Sequence, residues 1–578
     1  MVILLITNYL KKYWWRYALG IVFLLVVDYI QIIIPRRIGN IIDYIETDSW
    51  NLDHLKILVL SIIMLATGLV IGRFFWRFFI IGAARLFQYK TINTMFTHII
   101  ELDQNFYDKW RTGDLMTRFT SDTRQLERMM GPAVIMMVDT LFMTVMTVIA
   151  MGTFVDWELT FLSILPLPII AIISLFFGRI IHKRFTEVQE STSDLSNITE
   201  ESLSGMDVIK LYANKDTMKK LFNNSSKDYY DSYIKLIRIW GLMHPLVTFL
   251  GSLAQLFVFF FGGKMVINGE ITLGDFIMTN QYVGMLIWPM MAFGFLVNNI
   301  QRGRASLKRI TNVLDQERTV IEPEKKNFDF KGHFVVKNLN FKYPTSERKI
   351  LKNVNLEIKP GEMIAFVGKI GSGKSTLAKL LTKLYQVEDN SIFIDNEDIN
   401  NIHGEIIREN VSYVPQDNFL FSMSIRENIA FSNIDLALKA EEYAEKASVD
   451  KDLKNLEKGY ETIVGERGVT LSGGQRQRVT IARALAKKSK VIILDDCLSA
   501  VDTETEEKII KNLREETIGK TIIVISHRLK AVKNSNKIYV FEDGKIYESG
   551  THNELLEKDG IYADMYQKQM IEEKLEEE

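Results

Sequence analysis

Apolar residues dominate the first half of the chain in long runs, whereas the second half mixes short apolar runs with polar and charged residues. A helix needs about 20 mostly apolar residues to cross the hydrocarbon core of a bilayer. Runs of that length recur up to about Leu296. The pattern predicts six membrane-spanning helices, at residues 17–35, 56–82, 132–155, 159–180, 242–267 and 274–298.

The connections between these predicted spans differ in length and in charge. The long segments between spans two and three and between spans four and five are rich in Lys and Arg, whereas the short connections carry Asp and Glu. Cytoplasmic loops of membrane proteins carry an excess of basic residues. We therefore expect the long segments and both chain termini in the cytosol.

A glycine-rich segment follows a short strand-like run in the second half. Residues 363–367 are apolar, and the next residues, GKIGSGKST, fit the pattern G-x-x-x-x-G-K-[ST] of a phosphate-binding loop between a strand and a helix. The glycines let backbone N–H groups surround phosphates, while Lys374 reaches the β- and γ-phosphates and Ser375 ligates Mg²⁺. The segment predicts a site for ATP and Mg²⁺, formed by Gly368, Lys369, Ile370, Gly371, Ser372, Gly373, Lys374, Ser375 and Thr376.

A later apolar run, VIILDD, ends in two aspartates. The run is typical of a buried strand that carries Asp495 to its tip, where the carboxylate binds ATP-associated Mg²⁺. In ATPases of this pattern the next residue is normally Glu, which positions the attacking water, but here it is Asp496. A misplacement of about 1 Å can cost on the order of 10²-fold in rate. We therefore expect a site that holds nucleotide but turns it over slowly.

With the motif LSGGQ ahead of this strand, the chain resembles the ABC transporter superfamily over nearly all of its length, and specifically the bacterial half-transporter exporters of multidrug type. The resemblance implies a six-helix all-α transmembrane domain, predicted at 1–325, followed by an α/β P-loop nucleotide-binding domain at 332–570. It also implies a pair of chains in which the LSGGQ motif of one covers the ATP of the other. The residues implied to contact the partner's ATP are Leu471, Ser472, Gly473, Gly474, Gln475 and Asp502.

Further motifs carry the same resemblance. Tyr343 matches the aromatic residue that stacks on adenine, and Gln416 in YVPQD matches a residue that senses Mg²⁺ and the γ-phosphate. His527 closes another apolar run, where a neutral imidazole can hydrogen-bond a phosphate oxygen; a structural histidine and, for Tyr343, surface packing are the alternatives. Residues 464–468 and 499–502 resemble a cross-link segment and a dimer-contact loop. The resemblance thus implies the catalytic set Asp496, His527 and Gln416, and the Mg²⁺ ligands Ser375, Gln416 and Asp495.

The two long charged segments resemble the exporter intracellular loops, which end in short coupling helices. We place these helices near Gln104–Gly113 and Tyr212–Leu221. The alternative is that both are solvated extensions of the membrane helices.

Polar and aromatic residues within the spans are the candidates for substrate contact. Asp28 and Asp139 interrupt the first and third spans, and charged groups in membrane segments usually face a cavity or a partner. A cationic compound would be held by them, and a helix–helix hydrogen bond is the alternative. An aromatic–methionine wall, with lipid-facing or packed side chains as its alternative, would comprise Phe74, Trp76, Phe78, Met285, Trp288, Met290 and Met291.

Composition narrows the functional classes. The 578-residue chain has a net charge of −1, which gives no indication of nucleic-acid binding, and its single cysteine, Cys497, excludes an intrachain disulfide. We expect ATP-driven export of hydrophobic or amphipathic compounds across the plasma membrane by alternating access. The partner is expected to be a second half-transporter in a heterodimer rather than a second copy. A lipid or lipopeptide flippase and a regulatory ATP-binding sensor subunit are the alternatives.

Overall fold

The computed structural model describes residues 2–47, 51–465, 471–497, 503–516 and 519–577, which form two compact units. The helical unit comprises Met1–Ile100 and Thr112–Gln316, and the α/β unit comprises Glu101–Arg111 and Glu317–Glu578. The domain bounds 1–325 and 332–570 stay a prediction. The short segment 101–111, between the second and third predicted spans, packs with the α/β unit.

The described part of the helical unit contains six helical stretches that are long and apolar enough to cross a membrane. They run over Ile6–Glu46, Leu52–Glu101, Thr112–Phe154, Trp157–Ser204, Lys215–Ile267 and Leu273–Leu314. Each holds one predicted span to within a residue, so the prediction of six membrane helices before an α/β domain is confirmed. The component helices are α1 (Val2–Glu46), α2 (Leu52–Trp76), α3 (Gly82–Glu101), α4 (Gln104–Lys109), α5 (Thr112–Thr117), α6 (Thr123–Met130), α7 (Pro132–Phe154), α8 (Trp157–Ile164), α9 (Leu167–Ser204), α10 (Met206–Leu211), α11 (Lys215–Phe257), α12 (Gly263–Ile267) and α13 (Leu273–Leu314).

Hydrogen bonds join α1 to α13 at two levels. The buried hydroxyl of Tyr282 donates to the carbonyl oxygen of Ile32 at 2.7 Å. Nearer the connection before α13, the carboxylate of Asp43 accepts from the amide of Gly274 at 2.7 Å and from the hydroxyl of Thr272 at 2.9 Å. Because apolar packing gives little drive for association inside lipid, such polar links help to fix neighbouring membrane helices.

The first predicted coupling helix, near Gln104–Gly113, corresponds to α4, which ends at Lys109. The second was predicted too late in the chain. Gly205 ends α9, the short helix α10 follows at Met206–Leu211, and the backbone then turns at Ala213, whose φ is +52°. The predicted range Tyr212–Leu221 therefore contains this turn and the first residues of α11.

The α/β unit contains two sheets in its described residues. The larger has the order β10-β9-β3-β8-β7-β6, with β9, β3, β8, β7 and β6 parallel and β10 antiparallel, and the smaller is antiparallel with the order β2-β1-β4-β5. The strands are β1 (Phe334–Phe341), β2 (Leu351–Ile358), β3 (Met363–Gly368), β4 (Ile392–Ile394), β5 (Glu397–Asp398), β6 (Val411–Val414), β7 (Val491–Asp495), β8 (Thr521–Ile525), β9 (Lys537–Glu542) and β10 (Lys545–Gly550). The helices are α14 (Lys374–Leu381), α15 (Gly404–Asn410), α16 (Ile425–Ile429), α17 (Ala440–Lys446), α18 (Asp450–Lys454), α19 (Gly473–Ala486), α20 (Thr503–Glu516), α21 (Leu529–Val532), α22 (His552–Glu557) and α23 (Ile561–Glu577).

The central strands are apolar throughout because both faces of the large sheet are covered. In β3, Met363, Ala365 and Val367 enter one hydrophobic core, while Ile364 and Phe366 enter the other. Side chains alternate between the two faces of a strand, and a strand buried on both faces reads as a continuous apolar run. Since β3, β6, β7 and β8 are parallel, the residues that follow them gather at one edge of the sheet, where α/β proteins bind ligands.

Candidate nucleotide-binding site

The loop between β3 and α14 depends on its glycines. Gly368 has a φ of +141°, and a Cβ there would lie 2.1 Å from the carbonyl oxygen of Phe541. Gly373 has a φ of +104°, and a Cβ there would lie 2.6 Å from Leu351. A side chain is strained at either positive φ, and at Gly368 its Cβ would also meet backbone, so the glycines at these two positions permit the shape of the loop.

Lys374 lies at the centre of this loop, only 5% exposed. Its ammonium donates to the carbonyl oxygens of Gly368 at 2.8 Å and Lys369 at 2.9 Å. Burial lowers the pKa of Lys374 to about 8, although the carboxylates of Asp496 and Asp495 act in the opposite direction. A bound phosphate would supply the negative charge that this buried ammonium needs.

Other side chains of the loop have different surroundings. The ammonium of Lys369 pairs with Glu542 at 3.0 Å, and Ile370 is 89% exposed. These two residues therefore offer the site their backbone amides rather than their side chains. Ser372 is buried and accepts a hydrogen bond from Lys374 at 3.3 Å.

Asp495, at the end of β7, accepts two hydrogen bonds from different parts of the unit. The hydroxyl of Ser375 donates to its Oδ1 at 2.7 Å, and the hydroxyl of Tyr413 donates to its Oδ2 at 2.7 Å. Mg²⁺ prefers oxygen ligands and is usually held by one or two carboxylates together with substrate phosphates and water. The adjacent hydroxyl and carboxylate oxygens of Ser375 and Asp495 fit that requirement.

Asp496 occupies a left-handed backbone conformation, with φ of +46°, and its amide donates to the carbonyl oxygen of Ile525 at 2.9 Å. Its Oδ2 lies 3.4 Å from the side-chain nitrogen of Gln416. Burial raises the pKa of Asp496, whereas His527 acts to lower it, partly through its backbone N–H. Burial, followed by the charge of Lys374, lowers the pKa of His527, so its imidazole is neutral at physiological pH. The structure thus gathers the predicted catalytic residues at one sheet edge.

Tyr343 is the predicted adenine contact. Its hydroxyl is hydrogen-bonded to the hydroxyl of Thr376 at 3.1 Å, which ties it to the first turn of α14. Burial raises the pKa of Tyr343. Its ring meets Phe341 and Tyr385 edge-on, each at a centroid distance of 5.2 Å. The aromatic ring is therefore held next to the phosphate-binding loop.

The LSGGQ segment begins α19. Ser472 caps the helix reciprocally with Gln475: the Ser472 hydroxyl accepts from the Gln475 amide at 3.2 Å, and the Gln475 side chain accepts from the Ser472 amide at 3.0 Å. Leu471 is buried, Ser472 and Gly473 are exposed, and Gly474 and Gln475 are half-buried. A helix N-terminus with accessible amides favours anionic ligands. Asp502, with the rest of 499–502, and residues 466–468 of the predicted cross-link segment lie outside the described residues.

Sequence reasoning missed Tyr413 and Tyr385. Tyr413 lies in strand β6 and is the first residue of the YVPQD motif, which was interpreted only for Gln416, and Tyr385 follows α14 outside any motif named above. Their partners Asp495 and Asp108 are 82 and 277 residues away. No local pattern indicates contacts of that range.

Asp28 and Asp139, predicted as substrate contacts, lie close enough for their carboxyl groups to interact. Asp28 is fully buried, and among the described residues no donor reaches either of its carboxylate oxygens. Two adjacent carboxylates satisfy each other only when one carries a proton. The structure therefore brings these two predicted residues together.

Trp288 is not on the same face of α13 as the residues packed against α1. It is 56% exposed, whereas Tyr282 and Leu286 are fully buried with Ile32. The residues of the predicted aromatic–methionine wall also lie in different environments. Phe74 and Phe78 are exposed, while the three methionines pack against the helical core: Met285, Met290 and Met291. Spacing along separate helices did not reveal which faces they share.

A cavity of about 320 Å³ lies among α9, α11 and α13 of the helical unit. Methionine and aromatic side chains form its apolar wall, and amide, imidazole and guanidinium groups form its polar part. The lining includes Trp240, Met243, Met291, His182, Asn298 and Arg302. These residues come from three helices, so no local motif predicts the cavity.

Comparisons with known proteins agree with this geometry. Residues 17–290 match the ABC transporter transmembrane region, and residues 351–499 match the ABC transporter model for the ATP-binding part. The chain is 38% identical to the probable multidrug resistance ABC transporter ATP-binding/permease protein YheI of Bacillus subtilis (strain 168), over 97% of each chain. It is 33% identical to the multidrug resistance-like ATP-binding protein MdlA of Escherichia coli (strain K12), over 98% of this chain and 96% of the relative. The fold is similar to that of a bacterial Atm1-family ABC exporter with ATP bound, with a TM-score of 0.78 and 23% identity over 97% of this chain and 98% of the other.

Proposed function

The chain belongs to the ABC transporter family, and on that premise we propose that it exports hydrophobic or amphipathic compounds as one half of a heterodimer whose ATP site on this chain hydrolyses slowly. As a member of this family, the chain is a multi-pass protein of the plasma membrane, and its cytoplasmic ATP-binding domain couples ATP hydrolysis to transport. The exported compounds and the second chain belong to the proposal and do not follow from family membership.

The observation that carries the slow-site proposal is the position of Asp496. Its backbone is fixed by the hydrogen bond to Ile525, and its short side chain lies beside Gln416 and the His527 amide. A Glu at this position would extend its carboxylate one methylene further toward the phosphates. Since a misplacement of about 1 Å can cost on the order of 10²-fold in rate, the short carboxylate favours retention of ATP over rapid hydrolysis.

The remaining residues of this site are suited to binding ATP. Lys374 is held among the loop carbonyls, and Tyr343 is tied to Thr376 beside the loop. Mg²⁺, held by Ser375 and Asp495 with Gln416 as a further candidate ligand, would neutralise phosphate charge. His527, neutral at physiological pH, can donate a hydrogen bond to a phosphate oxygen. The proposed site is therefore suited to binding ATP. Its one departure from a rapidly hydrolysing site is the shorter side chain of Asp496.

The LSGGQ segment serves the other site of the pair. Ser472 and the Gly473 amide are exposed at the start of α19, where they can contact a phosphate held by a second chain. Preorganised donors aimed at developing negative charge typically contribute 10² to 10³-fold in rate, so roughly that loss is expected when one is removed. Two copies of this chain would form two identical sites that both depend on the short Asp496, whereas a partner with Glu at the matching position would form a competent site with this intact LSGGQ. This difference favours a heterodimer.

Two other surfaces fit an association of two chains. On α10 and the turn after it, Leu211 and Tyr212 are 82% and 80% exposed. In the α/β unit, a groove of about 500 Å³ is lined by Phe419, Phe431 and Arg483, among others. Large exposed apolar side chains mark interaction sites, and we propose that the groove receives the equivalent short helix of the partner chain.

The cavity in the helical unit supports the substrate class. Its volume of about 320 Å³ is within the range of pockets that bind drug-sized compounds. Methionine and aromatic side chains adapt to different apolar shapes, whereas Arg302 and Asn298 offer donors to a polar end. An amphipathic compound with an apolar body and a polar head matches this lining.

Reconstitution tests the proposal. The chain is purified alone and together with the product of any similar adjacent gene, and each preparation is placed in lipid vesicles. ATP turnover and the movement of fluorescent amphipathic compounds and of a fluorescent lipid are measured. We expect the pair, and not the single chain, to transport small amphipathic compounds. Rapid transport by the single chain would refute the heterodimer; movement of lipid alone would establish a flippase. Ligand-dependent ATP turnover without transport would establish a sensor subunit.

A pair of arginine variants tests the cavity within the same assay. Arg302→Ala removes a guanidinium from the lining, whereas Arg304→Ala removes an exposed one two residues further along the same helix. We expect Arg302→Ala to change which compounds stimulate ATP turnover and Arg304→Ala to leave the pattern as it is. If the same compounds stimulated ATP turnover in both variants, the proposal that this cavity binds the exported compounds would be contradicted.

A further inference from the structure

Tyr385 connects the aromatic residues beside the phosphate-binding loop to α4. Its side chain is only 3% exposed, and its hydroxyl donates to Oδ2 of Asp108 at 2.8 Å. Asp108 lies in α4, on the segment that joins the second and third membrane-crossing stretches. A part-buried hydrogen bond within the α/β unit therefore links the aromatic residues beside the phosphate-binding loop to this connecting segment.

The ring of Tyr385 completes this connection. It meets the ring of Tyr343 edge-on, with a centroid distance of 5.2 Å and an angle of 82°. Tyr343 in turn is hydrogen-bonded to Thr376 of α14. Edge-to-face pairs of this kind have a preferred geometry. A purine that fixes the ring of Tyr343 also restricts the ring of Tyr385.

The other end of α4 has a separate anchor. Oδ2 of Asp103, which caps the helix, accepts from the hydroxyl of Thr319 and from the amide of Val320, both at 2.8 Å. Asn105 is also hydrogen-bonded to Thr319. These contacts attach the start of α4 to the chain ahead of β1. The Asp108 end is the one that contacts the aromatic residues beside the phosphate-binding loop.

We propose that Tyr385 is a positioning residue that relays the presence of adenine at Tyr343 to α4 through Asp108. The proposal rests on the adenine contact assigned to Tyr343 in the proposed function. Burial, together with Asp108, raises the pKa of the Tyr385 hydroxyl, so it remains a donor throughout the working pH range. A coupling free energy between two sites is reciprocal, so a ligand that repositions α4 also changes the affinity for ATP.

Hydrogen exchange of the full chain with its partner tests the relay without any transported substrate. In the native protein, ATP is expected to slow exchange both in α14 and in the segment 101–111. Inorganic triphosphate occupies the phosphate-binding loop but has no adenine, so it is expected to protect α14 and not 101–111. Tyr385→Phe keeps the ring and removes the hydroxyl; we expect it to reduce the ATP-dependent protection of 101–111 roughly tenfold while α14 stays protected.

Tyr460→Phe is the matched control. Tyr460 is also buried, and its hydroxyl also donates to an aspartate, Asp450, at 2.8 Å. Among the described residues, no hydrogen bond, ion pair or ring contact joins either residue to α4; their other partners are Arg426 and Lys454. The control should retain ATP-dependent protection of 101–111. Nucleotide-independent protection of β3 and β8 in both variants establishes that they are folded.

The outcomes separate the relay from the proposed function. If ATP protects α14 but gives equal protection of 101–111 in the native protein and in Tyr385→Phe, the relay is wrong and the ATP site stands. If ATP fails to protect α14 in the native protein, both are wrong. If triphosphate protects 101–111 as ATP does, adenine is not the signal and the relay is wrong.

A double variant gives an independent test of the same bond. Residues that act through one interaction have non-additive effects. Tyr385→Phe combined with Asp108→Ala is therefore expected to lose no more ATP-dependent protection than either change alone. Losses that multiply in the double variant would show that the two residues act separately and would overturn the proposal.

Discussion

The side-chain nitrogen of Gln416 lies 3.4 Å from Oδ2 of Asp496, so two residues that follow different strands meet beside the phosphate-binding loop. Gln416 follows β6 and Asp496 follows β7, and these strands are parallel neighbours. The contact shows that the carboxylate of Asp496 is directed toward Gln416. The carboxylate of Asp496 lies close to Gln416, the residue proposed to sense Mg²⁺ and the γ-phosphate. The side chain of Asp496 is one methylene shorter than that of Glu.

Loss of the loop lysine tests the ATP site. Lys374→Ala removes the buried ammonium that faces the loop carbonyls, so we expect ATP affinity at this site to fall at least tenfold, on the scale of a lost charge-assisted hydrogen bond. The partner's site should remain loaded. Photo-crosslinking of labelled ATP to each separated chain measures the occupancy. Lys379→Ala, in the same helix, is the control; equal labelling of both chains in Lys374→Ala would contradict the assignment.

The same lysine predicts a pH dependence of ATP binding. Its pKa is lowered to about 8 by burial, so in the nucleotide-free site Lys374 loses its proton as the pH rises through about 8. Bound phosphates favour the charged form, and ATP binding above that pH takes up a proton. Affinity should then fall by up to about tenfold per pH unit. Calorimetry at pH 7 and 9, in buffers of different ionisation enthalpy, measures the affinity and the proton uptake.

Lys374→Arg is the control for this pH dependence, because arginine keeps its proton at both pH values. The variant should bind ATP without proton uptake. A native site whose ATP affinity is the same at pH 7 and pH 9 would contradict the account of Lys374.

Tyr413 predicts an effect on the metal. Its hydroxyl fixes Oδ2 of Asp495, the proposed Mg²⁺ ligand, at 2.7 Å. Loss of such a supporting hydrogen bond typically costs 10 to 100-fold in metal affinity or activity. Tyr413→Phe should therefore raise the Mg²⁺ concentration needed for half-maximal nucleotide retention at this site by roughly tenfold. Tyr539→Phe, which loses a hydroxyl bonded to the Glu357 carbonyl, is the control and should not change it.

The carboxyl pair in the helical unit predicts a difference between substrate classes. Asp28 is fully buried beside Asp139. If these groups bind a cationic compound when the helices open, Asp139→Asn should reduce transport of cationic compounds roughly tenfold, which is the effect of about 1.4 kcal/mol, and spare uncharged ones of similar size. Vesicle uptake of a matched cationic and uncharged pair measures this. Equal losses for both compounds would assign the pair to helix packing.

The sequence predicts those parts of the fold and site that depend on local patterns. Apolar runs of membrane length give the six spans, and glycines at 368 and 373 give the loop because their backbone conformations exclude other residues. The bond from Tyr385 to Asp108 joins residues 277 positions apart and has no local signal. The exposed face of Trp288 is likewise set by the packing of α13 on α1, which spacing along a single helix does not reveal.

ATP turnover of the assembled pair, measured on two single variants, tests the central claim most directly. Asp496→Glu adds one methylene at the slow site, and the account predicts that turnover rises or stays the same. Ser472→Ala removes a donor from the partner's competent site, and turnover should fall on the order of 10²-fold. ATP binding to each chain is measured in parallel to establish that both sites still load. Abolished turnover in Asp496→Glu, or unchanged turnover in Ser472→Ala, would contradict the assignment of a slow site to this chain and a competent one to its partner.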